Sequence, residues 1–306
     1  MPAAAPAAMS DALLLPLAAR AGAARWCPGL GFRDPAAERL AARFPAELAR
    51  LRADPALLRG CCVRAQWLDR QAADFAAQHR RVLVLNLGAG LDTAYQRLSR
   101  VLPDDHLWID VDLPPVVALK RALAGESARQ RLLAADLARP HWFGQLPDPA
   151  GRAVVLRAEG VLMALDPTAV AALLHRLARH FEPAAAVLLL FDWVSPWMAY
   201  RGRRPSCGCR CPPQAPPLRW ALEDADAPSR CHPGWYLRAE FDAMPACGAK
   251  AALHGMAHRW LTGRPLCGCS AYTLAVRPRP GSPASLQTSA APPVRPAPWA
   301  GAPARR

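Results

Sequence analysis

The stretch Arg81 to Thr93, RVLVLNLGAGLDT, restricts the fold more than any other part of the chain. Val82, Leu83, Val84 and Leu85 form a near-continuous apolar run, as in a strand buried on both faces of a parallel sheet. The glycines that follow make a tight turn into a helix. Because Gly88 and Gly90 carry no Cβ, a ligand can approach bare backbone at the carboxyl end of this strand. Taken alone, the turn allows a nucleotide, a dinucleotide or a sulfonium cofactor.

The flanking sequence repeats the pattern. A helix is expected over Leu91 to Leu102. His106 to Asp112 (HLWIDVD) reads as a second buried strand, followed by a helix opened by Pro114 and Pro115 and running through Ala124. Arg131 to Leu137 (RLLAADL), Ala153 to Gly160 (AVVLRAEG) and Ala185 to Trp193 read as further strands, with a helix at Pro167 to Phe181. Strands alternating with helices predict an α/β fold with a mostly parallel sheet and right-handed crossovers. Upstream, Asp11 to Ala77 has apolar residues at helical spacing, with Pro35, Pro45 and Pro55 near helix starts, where a missing N–H costs little. The last of these helices, Leu57 to Gln78, leads into the opening strand. Downstream, Gly234 to Met244 reads as a helix, and Ala249 to Gly255 with Ala271 to Val276 as a terminal antiparallel pair. The organisation expected is a disordered start at 1–10, a helical layer at 11–78, a sheet domain at 79–277 and a disordered tail at 278–306. A Pro- and Cys-rich insertion interrupts the sheet domain at about 203–217.

With 306 residues, 52% of them hydrophobic and 20% charged, the chain can bury a full-sized core. A formal charge of +14 invites a nucleic-acid partner, yet Lys120 and Lys250 are the only lysines. The other basic residues are arginines in a chain crowded with alanine and proline, which fits the coding bias of a GC-rich genome. No nucleic-acid partner is expected. The ten cysteines lack the even spacing of a small secreted scaffold, so reduced thiols and a cytoplasmic location are expected. Ala184 to Phe191 is too short to span a bilayer and Leu13 to Leu17 lacks the basic leader of a signal peptide, so no membrane partner is expected either. Cys207, Cys209 and Cys211 are spaced more tightly than most structural zinc ligands, which favours free thiols. His254 and His258 fall in a segment read as strand, which argues against a helical metal pair. Trp193, Trp197, Trp220, Trp235 and Trp260 are expected to pack in the core.

In an open parallel sheet the ligand lies beyond the carboxyl ends of the strands. Four consecutive strands deliver glycine or carboxylate there: Gly88, Gly90 and Asp92; Asp110 and Asp112; Asp136, with Leu137; and Glu159. Helix capping would explain any one acid, but all four together point to a site. An acid about 20 residues after a glycine turn is where dinucleotide folds hold ribose hydroxyls. Here the third glycine of that motif is missing, and Asp92 would set negative charge where a pyrophosphate must sit. A cofactor without phosphate fits better, and S-adenosylmethionine qualifies through its cationic end and its ribose diol.

Several motifs then occur in order: GFRDP at 31–35, VLNLGAGLDT at 84–93, Arg97-Leu98, IDVDLPPVVALK at 109–120, AADL at 134–137, AEGVLMAL at 158–165 and LLFDWVSP at 189–196. In order and spacing they resemble the leucine carboxyl methyltransferase family, which includes tetracenomycin-type polyketide O-methyltransferases. The resemblance implies a class I methyltransferase (Rossmann-like) fold, with seven strands and an antiparallel last strand. It also implies an S-adenosylmethionine-dependent O-methyltransferase acting on a carboxylate or acidic hydroxyl of a small molecule of secondary metabolism. Protein or peptide carboxyl methylation and a noncatalytic cofactor-binding interaction protein are the alternatives. Carried over by residue, Arg64 would meet the cofactor carboxylate and Gly88 and Gly90 would line its methionine part. Asp112, or Asp110 on the same strand, would take the ribose hydroxyls. Asp136 and Leu137 would hold the adenine edge, and Glu159 would sit near the sulfonium and amino group. A basic residue of the amino-terminal layer often contacts the ligands in this family, and Arg20 and Arg25 are the two candidates. The chain departs from the family at Ala94, where an arginine is usual, and at Ala164, where an aromatic residue is common in the pocket wall. No catalytic base is nominated, because an ionised carboxylate needs none.

Overall fold

The computed structural model describes residues 10–51, 53–202 and 217–275. Residues 1–9 and 278–306 of the expected disordered ends and nearly all of the insertion, with Cys207, Cys209 and Cys211, lie outside the described residues, while Ser10 caps the first helix and accepts from the Ala12 N–H.

The amino-terminal layer holds α1 (Asp11–Ala21), α2 (Ala23–Trp26), α3 (Pro35–Ala41), α4 (Pro45–Arg50) and the long α5 (Pro55–Ala76). Pro35, Pro45 and Pro55 occupy first helical positions, and Asp34 and Asp54 accept from the backbone N–H of Ala37 and Ala56, so proline and acid together fix the starts of α3 and α5. Seven strands follow: β1 (Arg81–Leu87), β2 (Asp105–Asp112), β3 (Gln130–Ala134), β4 (Ala153–Ala158), β5 (Ala186–Val194), β6 (Trp235–Asp242) and β7 (Cys267–Leu274). The connecting helices are α6 (Ala94–Leu98), α7 (Pro114–Ala124), α8 (Pro167–Phe181), α9 (Pro196–Gly202), α10 (Ala227–Cys231) and α11 (Ala249–Thr262).

All strands join one sheet in the order β3-β2-β1-β4-β5-β7-β6. The first five are mutually parallel, while β7 runs antiparallel to both β5 and β6. The chain winds outward from β1 to β3, then returns to place β4 on the other side of β1, so a crevice opens between the ends of β1 and β4. Leu83, Leu85 and Val154 pack with α8 residues on one face of the sheet, and Val82, Val84 and Val155 pack with Leu68, Ala72 and Phe75 of α5 on the other. That double covering is why the β1 run contains no alternation.

Three expectations are corrected. Gly234 to Met244 is strand, because β6 pairs along β7 and tertiary pairing overrides the helix-forming residues at its centre. Ala249 to Gly255 belongs to helix α11, and Gly255 marks a close approach: a Cβ there would fall 2.6 Å from Met244 Cβ. The terminal antiparallel pair is therefore β6 with β7, and α11 connects them. The helix after the glycine turn begins only at Ala94, since Asp92 turns inward and accepts from the Ala94 N–H at 3.1 Å. No helix among the described residues is long and apolar enough to cross a membrane.

Candidate active site

A cavity of about 350 Å³ opens at the carboxyl ends of β1, β2 and β4. Gly88 and Gly90 form its floor with φ of 61° and 47°, in the left-handed region where side chains are strained. A Cβ on Gly88 would stand 2.3 Å from Val161 Cγ2. Leu13 of α1 lies 3.2 Å from where a Gly90 Cβ would be, and Ala12, Leu13, Pro16 and Arg20 also line the cavity. The first helix of the amino-terminal layer thus walls the cavity of the sheet domain.

Of the residues named from the sequence, Arg64, Gly88, Gly90, Asp112, Asp136, Leu137 and Glu159 all line this one cavity. Asp110 does not. It lies one step deeper, buried to 2% exposure, where its carboxylate accepts from Asn86 (3.0 Å), Trp108 Nε1 (2.8 Å) and Gln130 (2.8 Å) and pairs with Lys120 at 3.1 Å. Register explains the placement: Asp110, Asn86 and Arg157 form one row across β2, β1 and β4. The row is a polar belt inside the sheet, and Asp110 has no oxygen left to offer a ligand.

Asp112 is held differently. One oxygen accepts from the Gly90 N–H at 2.6 Å and the other from the Leu113 N–H at 2.7 Å. Burial nonetheless pushes its carboxyl upward against those two amides. The Gly90 amide, which a pyrophosphate would need, is already taken. Asp136 lies past the end of β3, half exposed, accepting from the Ala138 N–H at 2.9 Å, while Leu137 beside it is buried.

The opposite end of the cavity rests on a buried ionic network that sequence reasoning missed. Arg157 is fully buried in β4; it pairs closely with Asp92, donates to Glu159 at 2.6 Å, and lies 3.4 Å from Asp69. Arg97 joins Asp69 at 2.6 Å, Asp92 at 3.4 Å and, more closely, Asp34. Arg20, one of the two amino-terminal candidates, reaches in from α1 to within 3.5 Å of Glu159 and 3.6 Å of Asp92. Arg25 instead lies over the Trp26 ring. A charged residue inside the apolar run AVVLRA was the available signal for Arg157, since buried charge persists only when paired. The network also corrects the argument from Asp92: burial would push its carboxyl up, but Arg157, Arg20 and Arg97 hold it well below its ordinary range. Its charge is spent inside the protein and does not select a cationic ligand. Glu159 keeps a raised carboxyl, because burial outweighs Arg157 and Arg20.

Arg64 reaches the cavity from α5, and Asp192, 1% exposed in β5, holds it. The Asp192 carboxylate accepts from the Gly160 N–H at 2.7 Å through one oxygen and lies 3.0 Å from Arg64 Nε through the other. The seven described cysteines are free thiols; Cys61 lines the cavity beside Arg64, and burial raises its thiol. His254 and His258 do share a helix, with His258 Nδ1 3.0 Å from the Arg264 carbonyl oxygen, and the described residues contain no group of three metal-ligating side chains. A second cavity of about 360 Å³, between α8, α9 and α10, shares no lining residue with the first. Trp193 and Trp235 are buried as expected, whereas Trp197 and Trp260 are exposed.

Residues 2–178 match the model of a known protein family, described as leucine carboxyl methyltransferase. The match covers more than half of the chain and all the strand ends that line the first cavity. The chain belongs to the leucine carboxyl methyltransferase family. S-adenosylmethionine is accordingly the cofactor of its class. The chain is 35% identical over 170 residues to the tetracenomycin polyketide synthesis O-methyltransferase TcmP of Streptomyces glaucescens, covering 56% of this chain and 60% of that protein. It is 29% identical over 126 residues to the S-adenosyl-L-methionine-dependent methyltransferase dpfgK of Gibberella zeae, covering 40% and 39%. It thus spans less than two thirds of the length of these relatives. Among solved structures, magnesium protoporphyrin IX methyltransferase from Synechocystis PCC 6803 superposes with a TM-score of 0.47 at 12% identity, over 79% of this chain and 95% of that one.

Proposed function

We propose that this family member is an O-methyltransferase that transfers the methyl group of S-adenosylmethionine to a carboxylate or acidic hydroxyl of a small molecule of secondary metabolism. The observation that carries this reading is the convergence of Arg64, the Gly88–Gly90 turn, Asp112, Asp136, Leu137 and Glu159 on one cavity. These residues fit the cofactor by chemistry. Arg64 would meet its carboxylate, Asp112 its ribose diol and Glu159 its ammonium, with Asp136 and Leu137 at the adenine. When bound, the cofactor supplies an electrophilic methyl on a positive sulfonium. The protein's task is then to hold the acceptor oxygen in line and exclude water. Asp192 orients Arg64, and Arg20 with Arg157 fixes the Glu159 carboxylate at the cavity wall. No side chain needs to remove a proton from an acceptor that is already ionised. Ala164 lines the cavity at the position where the family commonly carries an aromatic ring, which leaves room beside the reacting end.

Calorimetry with S-adenosylhomocysteine tests the cofactor assignment, and binding is expected. Incubation with methyl-labelled cofactor and candidate acids, followed by mild base, tests the acceptor: volatile labelled methanol indicates a methyl ester, and retained label a methyl ether. Label found on protein would favour protein carboxyl methylation, and binding without transfer to any acceptor would favour the noncatalytic reading.

A further inference from the structure

Two adjacent cysteines of α5 face different parts of the molecule. Cys61 and Cys62 are both buried, and at about 100° per residue a helix sends neighbouring side chains in different directions. Cys61 lines the first cavity, with its Sγ 3.5 Å from Arg64. Cys62 faces the amino-terminal layer instead, and its Sγ lies 3.1 Å from the carbonyl oxygen of Ala19 in α1. Cys27, the residue that caps the end of α2, packs against the same small core as Cys62 and is only partly buried.

A helical carbonyl points along the axis toward the residues three and four positions on. Cys27 Sγ lies 3.9 Å from the Arg59 carbonyl oxygen, and that oxygen is directed at the turn that carries Cys62. The two thiols are therefore neighbours where α2 meets α5, and they share a hydrogen bond. Donation from Cys62, assisted by the Arg59 cation, holds the Cys27 thiol below its ordinary range against the effect of burial, while the same bond and burial push the Cys62 thiol up. One thiol is reachable from solvent and ionises more readily; the other is sheltered beside it. A two-cysteine oxidation site needs that division, because a thiolate is the nucleophile and a second thiol must capture its sulfenic acid before further oxidation.

We infer that Cys27 and Cys62 are a peroxide-reactive pair that closes to a reversible disulfide. The Cys27 thiolate attacks one oxygen of hydrogen peroxide, the O–O bond breaks, and the departing hydroxide takes up the proton that Cys27 released, giving water. Cys62 then attacks the sulfur of the Cys27 sulfenic acid. The S–S bond forms as the S–O bond breaks, and the hydroxyl leaves with the Cys62 proton as a second water. The two thiols give up two electrons, and the peroxide gains them. The disulfide fixes the end of the α1–α2 segment to α5. Arg20 follows Ala19 on α1, Cys61 precedes Cys62 on α5, and Arg20, Cys61 and Arg64 all line the first cavity, so the pair sits behind the wall where these two elements meet.

The test treats the full, reduced chain with hydrogen peroxide and maps its peptides by mass spectrometry. The expected product joins the peptides that contain Cys27 and Cys62 and is cleaved by dithiothreitol. Closing the intervening loop should raise the melting temperature by about 5 °C, reversibly with dithiothreitol. Cys27→Ser should leave the reduced protein's melting temperature unchanged and abolish both the cross-link and the rise. Cys62→Ala, which lacks the capturing thiol, should leave Cys27 as a sulfenic acid that dimedone traps. Two unreacted thiols, Cys27 oxidised only to its sulfinic acid, or Cys27 joined to any other cysteine would overturn the inference. So would a cross-link that leaves the melting temperature where it was. No cofactor enters the assay, so its outcome is independent of the methyltransferase reading.

Discussion

At one end of the cavity, Asp92 and Glu159 are shared among Arg157, Arg97 and Arg20; at the other, Asp112 is met only by two backbone amides, and the half-exposed Asp136 by one amide and, at 3.9 Å, by the exposed Arg139. Both ends present acids at strand ends, and from the sequence they look alike. The difference lies in what compensates the charge. An acid embedded among arginines is committed to holding the protein together, and removing any partner strands the others in a medium that solvates them poorly. An acid held by amides alone keeps capacity for a ligand, at some cost to the protein without it. Asp92 is thus scaffold, Asp112 is the acid left open for the proposed cofactor, and Glu159, held by two arginines yet lining the cavity, belongs to both.

The sharpest way to break this comparison is Arg157→Met, which leaves Asp92, Glu159 and Asp69 without their shared cation. Urea unfolding should show a loss of about 3–5 kcal/mol. A change below about 1 kcal/mol would mean that the network is not structural. Asp92→Asn should cost about 3 kcal/mol at neutral pH by the same mechanism, and it carries a pH signature. The folded carboxyl lies below its ordinary value, so its stabilisation is present above about pH 4 and is lost as pH falls through the folded value. The gap between wild type and variant should therefore close in acid, and a gap independent of pH would contradict the assignment.

At Asp112 the balance should reverse. Asp112→Ala is expected to weaken S-adenosylhomocysteine binding by about 1.5–3 kcal/mol, ten- to a hundredfold, while the unfolding midpoint of the ligand-free protein moves little. Because burial raises this carboxyl, its contribution to stability is lost as pH rises through the folded value, and the ionised form is a cost at neutral pH. Calorimetry and thermal unfolding on one variant read both effects. The smallest expected effect separates positioning from packing. Asp192→Asn keeps an acceptor for the Gly160 N–H but loses the charge that holds Arg64, so affinity for S-adenosylhomocysteine should fall about tenfold. Affinity for 5′-methylthioadenosine, which lacks the amino-acid end, should not change. An equal loss for both ligands would make Asp192 merely structural.

The five parallel strands, the glycine turn and the acids at the strand ends were legible because each rests on local chemistry: apolar runs, missing Cβ atoms and carboxylates at fixed spacing. Asp112 and Glu159 were found that way. Helix and strand were exchanged in the region from Gly234 to Gly255 because β6 owes its state to pairing with β7, and Gly255 owes its presence to Met244, both distant in sequence or hidden from periodicity.

The sequence by itself determined the order of the elements, the left-handed turn that only glycine enters freely, and the family to which the chain belongs. Only the tertiary structure decided which acids remain available. Whether a carboxylate is spent or offered depends on which arginines fold against it, and Arg20, Arg97 and Arg157 come from three separate elements, α1, α6 and β4. Electrostatic pairing acts over a few ångströms of space regardless of separation along the chain.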